Sequence, residues 1–171
     1  LQHLSGGPDP VKRAAAEKLF ETAIDLCLYQ VRQGGHFVLE HLRGSEAWSL
    51  PCVMKLVQCQ GVRRVDFDMC VHGMMATDAY GCAPVRKPTT FFTTSPGTGG
   101  KVHKKCQGGH RHVHLLDGRT RVAAQCPTEL CDAVLDGLLI EKSFEQEVSI
   151  NGMSIGQDMC DPNDLGTEQD N

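Results

Sequence analysis

Apolar positions across residues 11–33 recur with a helical period. Phe20, Ile24, Cys27 and Val31 fall at i, i+4, i+7 and i+11, and Leu19, Ala23 and Leu28 widen the stripe. Asp9-Pro10 supplies an N-cap and a first-turn proline, and Gly34-Gly35 supplies the stop. His36-Phe37-Val38-Leu39 then reads as a short continuous apolar run ending at Glu40-His41, which predicts a central strand covered on both faces. A polar loop over residues 42–50 carries Trp48. Residues 51–60 read as a short helix, with Val53, Leu56 and Val57 apolar and Gly61 closing it, and residues 62–67 as the next strand.

Helix, strand, helix, strand in that order predicts an α/β layer with parallel strands joined by right-handed crossovers. Farther along, residues 77–84 read as a turn-rich loop and residues 89–94 as a third strand. Residues 95–100 read as a flexible Gly/Pro turn, and residues 110–115 as a short strand before Asp117-Gly118. Pro127 opens a helix whose stripe is Leu130, Cys131, Val134, Leu135 and Leu138. Ser149-Ile150-Asn151-Gly152-Met153 holds an Asn-Gly hairpin signal. The expected fold class is therefore α/β: a partial parallel sheet with flanking helices, a Cys/His-rich segment and a C-terminal helix, in one domain over residues 9–140.

Composition sharpens this in three places. With 171 residues and ordinary globular usage, a collagen-like, disordered or disulfide-stapled chain is excluded. No apolar run reaches the roughly 20 residues of a bilayer span, and no segment reads as a signal peptide. The chain begins at Leu1 rather than Met, so it is expected to be a piece of something longer. The net charge of −4 hides a strong asymmetry. Residues 157–171 hold five acids and no Lys or Arg, and are expected to be a disordered tail. Residues 84–121 hold Arg86, Lys87, Lys101, Lys104, Lys105, Arg111, Arg119 and Arg121 against Asp117 alone, a local +7. Such a stretch attracts phosphates without regard to sequence, so nucleic acid is the expected partner. The nine cysteines are an odd number without a secretory signal, which points to free thiols in a reducing compartment, nucleus or cytoplasm.

Three groups could carry chemistry. Glu40 ends the first strand, where open α/β sheets bind ligands, and is the candidate catalytic carboxylate. Asp66 and Asp68 share a strand face and could join it around Mg²⁺ in a metal-dependent nuclease. The densest group is Cys106, His110, His112 and His114, whose histidines share one face of an extended segment. A thiolate with imidazoles suits Zn²⁺, and Cys70, His72 or Cys82 could complete a tetrahedral set, Cys70 being the favoured donor. Ser95-Pro96-Gly97-Thr98-Gly99-Gly100-Lys101-Val102 is not a phosphate loop, because Ser95 replaces its first glycine and Val102 its Ser/Thr.

Several segments together resemble one module: Gly35-His36-Phe37-Val38-Leu39-Glu40-His41, Trp48-Ser49-Leu50-Pro51 and Asp68-Met69-Cys70-Val71-His72-Gly73. Arg86-Lys87-Pro88-Thr89 with Thr94-Ser95, Cys106 with His112-Val113-His114-Leu115, and Pro127 through Leu130-Cys131 to Gly137 continue it. In this order they resemble a region of copia-type retrotransposon polyproteins and related reading frames of protists and fungi, over roughly residues 14–140. The resemblance implies the second half of a class I methyltransferase-like fold, distantly similar to cytosine-5 DNA methyltransferases, with S-adenosylmethionine bound only in a full-length parent. Glu40 would then match the glutamate that contacts the target cytosine. His41 departs from the Asn that follows it in that family, Leu42 departs from the relatives' Pro, and no cofactor loop or Pro-Cys nucleophile lies upstream.

The leading expectation is thus a retroelement-derived methyltransferase-like fragment that contacts nucleic acid, DNA first, and does not methylate alone. Its other partner would be the missing N-terminal half of a polyprotein, and no membrane is involved. The alternatives are a structural zinc module that binds nucleic acid and the nuclease of Glu40, Asp66 and Asp68.

Overall fold

A computed structural model describes residues 9–115 and 124–150. Helix α1 (Pro10–Arg32) forms where its period predicts, with the Asp9 carboxylate accepting from the Val11 N–H at 3.0 Å and Pro10 in the first turn. Its buried residues are Ile24, Cys27 and Val31. Burial pushes the Cys27 thiol up to about 11, so it packs as a small hydrophobe. Strand β1 (Val38–Leu42), a 3₁₀ turn at Glu46–Ser49, helix α2 (Pro51–Gln58) and strand β2 (Arg63–Asp68) follow in order. A second 3₁₀ turn (Met69–His72) leads into the hairpin β3 (Met75–Asp78) and β4 (Gly81–Pro84), then β5 (Pro88–Thr93), α3 (Pro96–Val102) and α4 (Thr128–Ile150).

The parallel sheet expected from the element order is not formed. The main sheet has the order β1-β5-β2, and β5 runs antiparallel to both neighbours. β1 and β2 do run in the same direction around α2, but they stand one strand apart and β5 fills the gap. Side-chain patterning explains the choice. β5 is buried along almost its whole length, with Phe91 and Phe92 entering opposite faces. Its threonines can also be buried because their hydroxyls find acceptors: Thr93 donates to the Phe37 carbonyl at 2.7 Å and Thr90 to Asp66 at 2.5 Å. β1 carries Glu40 and His41, and β2 carries Arg63, Arg64, Asp66 and Asp68, charges that suit edge strands. The first strand is therefore an edge, not the covered centre that its apolar start predicts.

The sheet separates two cores. Phe92 and Leu39 pack with Ile24, Cys27 and Val31 of α1 and Val53 and Leu56 of α2. Phe91, Val65 and Phe67 pack on the other side with Met69, Met74, Val85, Val102, Val113 and Leu130. Two further expectations give way here. Residues 77–84 are not a loop but most of the β3–β4 hairpin, in which Asp78 accepts from the Tyr80 N–H at 2.9 Å across the turn. Residues 95–100 are not a flexible turn: Ser95 caps α3 by accepting from the Thr98 N–H at 3.1 Å, and Pro96 opens it. The glycines that argue against a helix are what let it form. A Cβ on Gly97 would lie 2.2 Å from the Gly137 carbonyl oxygen, and one on Gly137 would lie 2.3 Å from Thr98 Cα. α3 and α4 therefore cross backbone to backbone.

Within residues 110–115 the expected strand is reduced to a single parallel bridge, Val85 with Val113. The hairpin signal at 149–153 falls partly on the end of α4, and Asn151 to Met153 lie outside the described residues, as does the acidic segment 157–171. Cys27, Cys52, Cys70, Cys82, Cys106, Cys126 and Cys131 are free thiols, whereas Cys59, also expected free, is disulfide-bonded. Among the described residues, no helix is long and apolar enough to cross a membrane.

Candidate metal centre

Cys70, Cys106, His110 and His112 converge beyond the end of β2. One ligand atom from each lies within 4.8 Å of the others, and together they form a group that could hold a metal ion. Each is placed by local structure. Cys70 sits in the 3₁₀ turn after Asp68, which ends at Gly73 in the left-handed conformation. The loop carrying the other three is tied at both ends. At its start the Cys106 N–H donates to Asp68 Oδ2 at 3.0 Å, and the Asp68 N–H donates to the Lys104 carbonyl at 3.1 Å. At its far end Val113 N–H donates to the Pro84 carbonyl at 2.8 Å, and Arg86 N–H to the Val113 carbonyl at 3.0 Å. Between these anchors Gly108 and Gly109 take φ of +78° and +79°, which reverses the chain and returns His110 to Cys106. The Gly108 N–H also points at Cys106 Sγ, 3.4 Å away.

Cys106 Sγ stands 3.6 Å from His110 Nε2 and 3.5 Å from His112 Nε2, and the two imidazole nitrogens are 3.0 Å apart. His110 is exposed and the other three ligands are half-buried. Burial, then hydrogen bonding to Cys106 and its charge, pushes the Cys70 thiol up to about 11. His112 is held below its ordinary value by burial first, then by the charges of His110, Arg86 and His114, so it is the neutral, metal-binding form that is favoured.

Three predicted donors are elsewhere. His114 is exposed and lies outside the group. Buried His72 instead meets the Val102 carbonyl through Nε2 at 2.9 Å, and Cys82 is exposed on β4.

The carboxylates do not assemble. Glu40 faces Phe91 across the strands and Asp66 faces Thr90, so their side chains leave opposite faces of the sheet. Glu40 lies in mid-strand, not at its end, and pairs with Lys87 Nζ at 3.2 Å. Burial alone would raise the Asp66 carboxyl. Hydrogen bonds from Thr90 and Arg64, with the charges of Arg64 and Lys105, bring it below its ordinary value instead. Asp68 holds Arg43 and the Cys106 N–H. Each acid is thus engaged by the fold, and the nuclease arrangement has no common site.

The basic stretch is divided in the same way. Arg111 fastens the β3–β4 turn, donating to Asp78 at 2.6 Å and to the Gly81 carbonyl at 3.0 Å. Lys87 is committed to Glu40, while Arg86, Lys101 and Lys104 are exposed and Lys105 half-exposed. Arg119 and Arg121 lie outside the described residues. Sequence reasoning missed Arg43, which is paired with Asp68 and lines the same cleft as three of the ligands. Nothing in its neighbourhood along the chain marks it, since the pairing spans the sheet.

The fold and site together define a small α+β domain with two antiparallel sheets and a Cys₂His₂ group at one end. No protein-family model, no curated protein and no solved structure matches the chain.

Proposed function

We propose that this chain is a zinc-stabilised module that binds nucleic acid, in which the metal fixes a basic loop rather than doing chemistry. The observation that carries it is the ligand spacing. A tetrahedron with Zn–S of about 2.3 Å and Zn–N of about 2.05 Å has S···N edges of about 3.6 Å. Cys106 stands 3.6 and 3.5 Å from the two imidazole nitrogens. Those nitrogens are 3.0 Å from each other, a few tenths closer than the N···N edge of about 3.3 Å in that tetrahedron. Four protein donors fill all four positions, which suits a structural ion and leaves no open place for substrate. The Gly108 N–H aimed at Cys106 Sγ supports a thiolate there. Zinc in this place would staple the 3₁₀ turn after β2 to residues 106–112 and hold Arg86, Lys101, Lys104 and Lys105 on an ordered surface. The methyltransferase-like reading is set aside because it needs a parallel sheet, and the sheets among the described residues are antiparallel.

Purified protein should contain about one zinc per chain. Co²⁺ in its place should give the strong visible bands and sulfur-to-metal charge transfer of a tetrahedral site with two thiolates. Cys106→Ser should abolish both, and octahedral-type weak bands in the parent protein would overturn the assignment. Duplex DNA affinity should fall linearly on a log–log salt plot, each phosphate contact adding about 0.9 to the slope. Binding indifferent to salt would remove the nucleic-acid part of the proposal.

A further inference from the structure

Beside the Cys/His group lies a cleft of about 660 Å³ lined by Arg43, Arg86, Lys87, Asp68, Cys70, Cys106 and His112, among others. Its lining sets three cations against one carboxylate. Zinc held by two thiolates adds no net charge, so the positive balance persists when the centre is loaded. Lys87 is held by Glu40 from outside this lining, which leaves Arg43 and Arg86 as the groups to consider.

Arg43 is anchored through one terminal nitrogen by Asp68 and the Phe67 carbonyl, and its Nε–H is buried and meets no acceptor among the described residues. A guanidinium has five donors in a planar fork, and this one is only partly satisfied. Arg86 lines the same cleft. Its backbone is pinned by the bond to the Val113 carbonyl, while its exposed guanidinium has no side-chain partner among the described residues. Two arginines on separate, anchored segments lining one concave space are suited to bind an oxyanion together, which guanidinium geometry favours over lone lysines.

We infer that this cleft is a phosphate-binding site in which Arg43 and Arg86 clamp one phosphate group against the wall formed by the metal centre. It deepens the proposal above, resting on it for the order of residues 106–112. Asp68 is the positioning residue of the clamp, because one of its oxygens holds Arg43 and the other holds the Cys106 N–H. The ligand class is a phosphate group. A backbone diester and a free or terminal phosphate share this chemistry, and affinity separates them.

The test is to titrate zinc-loaded protein with inorganic phosphate, then with a 5′-phosphorylated single strand, its 5′-hydroxyl counterpart and a duplex, following the arginine Nε–H NMR signals. Arg43 and Arg86 signals should shift with inorganic phosphate. A 5′-phosphate preference would assign the site to terminal phosphate, and equal response to both strands would assign it to the backbone. Arg86→Gln should weaken binding by about tenfold, as loss of one charge-assisted hydrogen bond does, with the Co²⁺ spectrum unchanged. Arg43→Lys keeps the charge and the Asp68 pair but loses the fork, and should weaken binding while the fold persists. A normal Co²⁺ spectrum with no phosphate-dependent shift at either arginine would overturn the site and leave the metal proposal standing. If the protein binds no metal, the same titration decides: shifts at both arginines would sustain the clamp, and none would end it.

Discussion

Asp68 joins parts of the molecule that are far apart in sequence. One carboxylate oxygen holds Arg43, the other takes the Cys106 N–H, and its own N–H is bound by Lys104. Asp68→Asn keeps the shape but removes the charge, and should cost about 1–2 kcal/mol, as for a partly buried charged hydrogen bond. It should also weaken Co²⁺ affinity, whereas Asp66→Asn on the neighbouring strand position should leave Co²⁺ affinity unchanged; competitive Co²⁺ titration compares them. His72 makes a different prediction. It is 2% exposed, and burial holds its imidazole below the ordinary value despite the bond to Val102. The unfolded chain, with a histidine value of about 6.5, therefore binds that proton first. The stability that neutral His72 contributes is full above about pH 6.5 and is lost as pH falls below it. Urea midpoints of the zinc-loaded protein from pH 7.5 to 5 should drop more steeply than those of His72→Gln.

At the scale of elements, the α3–α4 crossing depends on Gly137 and Gly97 lying backbone to backbone. Gly137→Ala improves helix propensity by about 1 kcal/mol in isolation. It also drives a methyl group into the Thr98 backbone, and overpacking of that kind costs about 1–3 kcal/mol. The sum should be destabilising, measured as a lower denaturant midpoint with an unchanged slope. Ser95→Ala should remove the α3 cap and cost about 1 kcal/mol by the same measurement. The sequence over residues 95–100 reads as a turn because propensity counts glycine against a helix. The partner that makes those glycines useful lies some 40 residues later.

Across the whole molecule, the three-stranded sheet carries one core with α1 and α2 and another that leads to the metal centre. Removing zinc should therefore loosen one side first. With a chelator, amide exchange should accelerate in residues 69–73 and 104–113, while the buried turns of α1 and the Leu39–Phe92 pair stay protected. Uniform loss of protection would mean that the metal holds the whole domain, as it does in a small zinc finger. Local loss would fit a domain whose two cores already stabilise the sheet.

Much of this molecule is legible in one dimension because it is set locally. The Asp9 cap and the period of α1 follow from contacts within a few residues, as does the Pro51 start of α2. The donor types of Cys106, His110 and His112, spaced within seven positions of one another, likewise mark a metal site along the chain itself. Pairings between distant segments are settled in three dimensions instead. β5 enters antiparallel between β1 and β2 because its two buried faces need cover and theirs carry charge. Cys70 rather than His72 or Cys82 completes the group, and His114 stands outside it. Arg43 meets Asp68 across the sheet, 25 residues along the chain. Periodicity records how each segment divides water from core, and it carries no record of which segment will stand beside it.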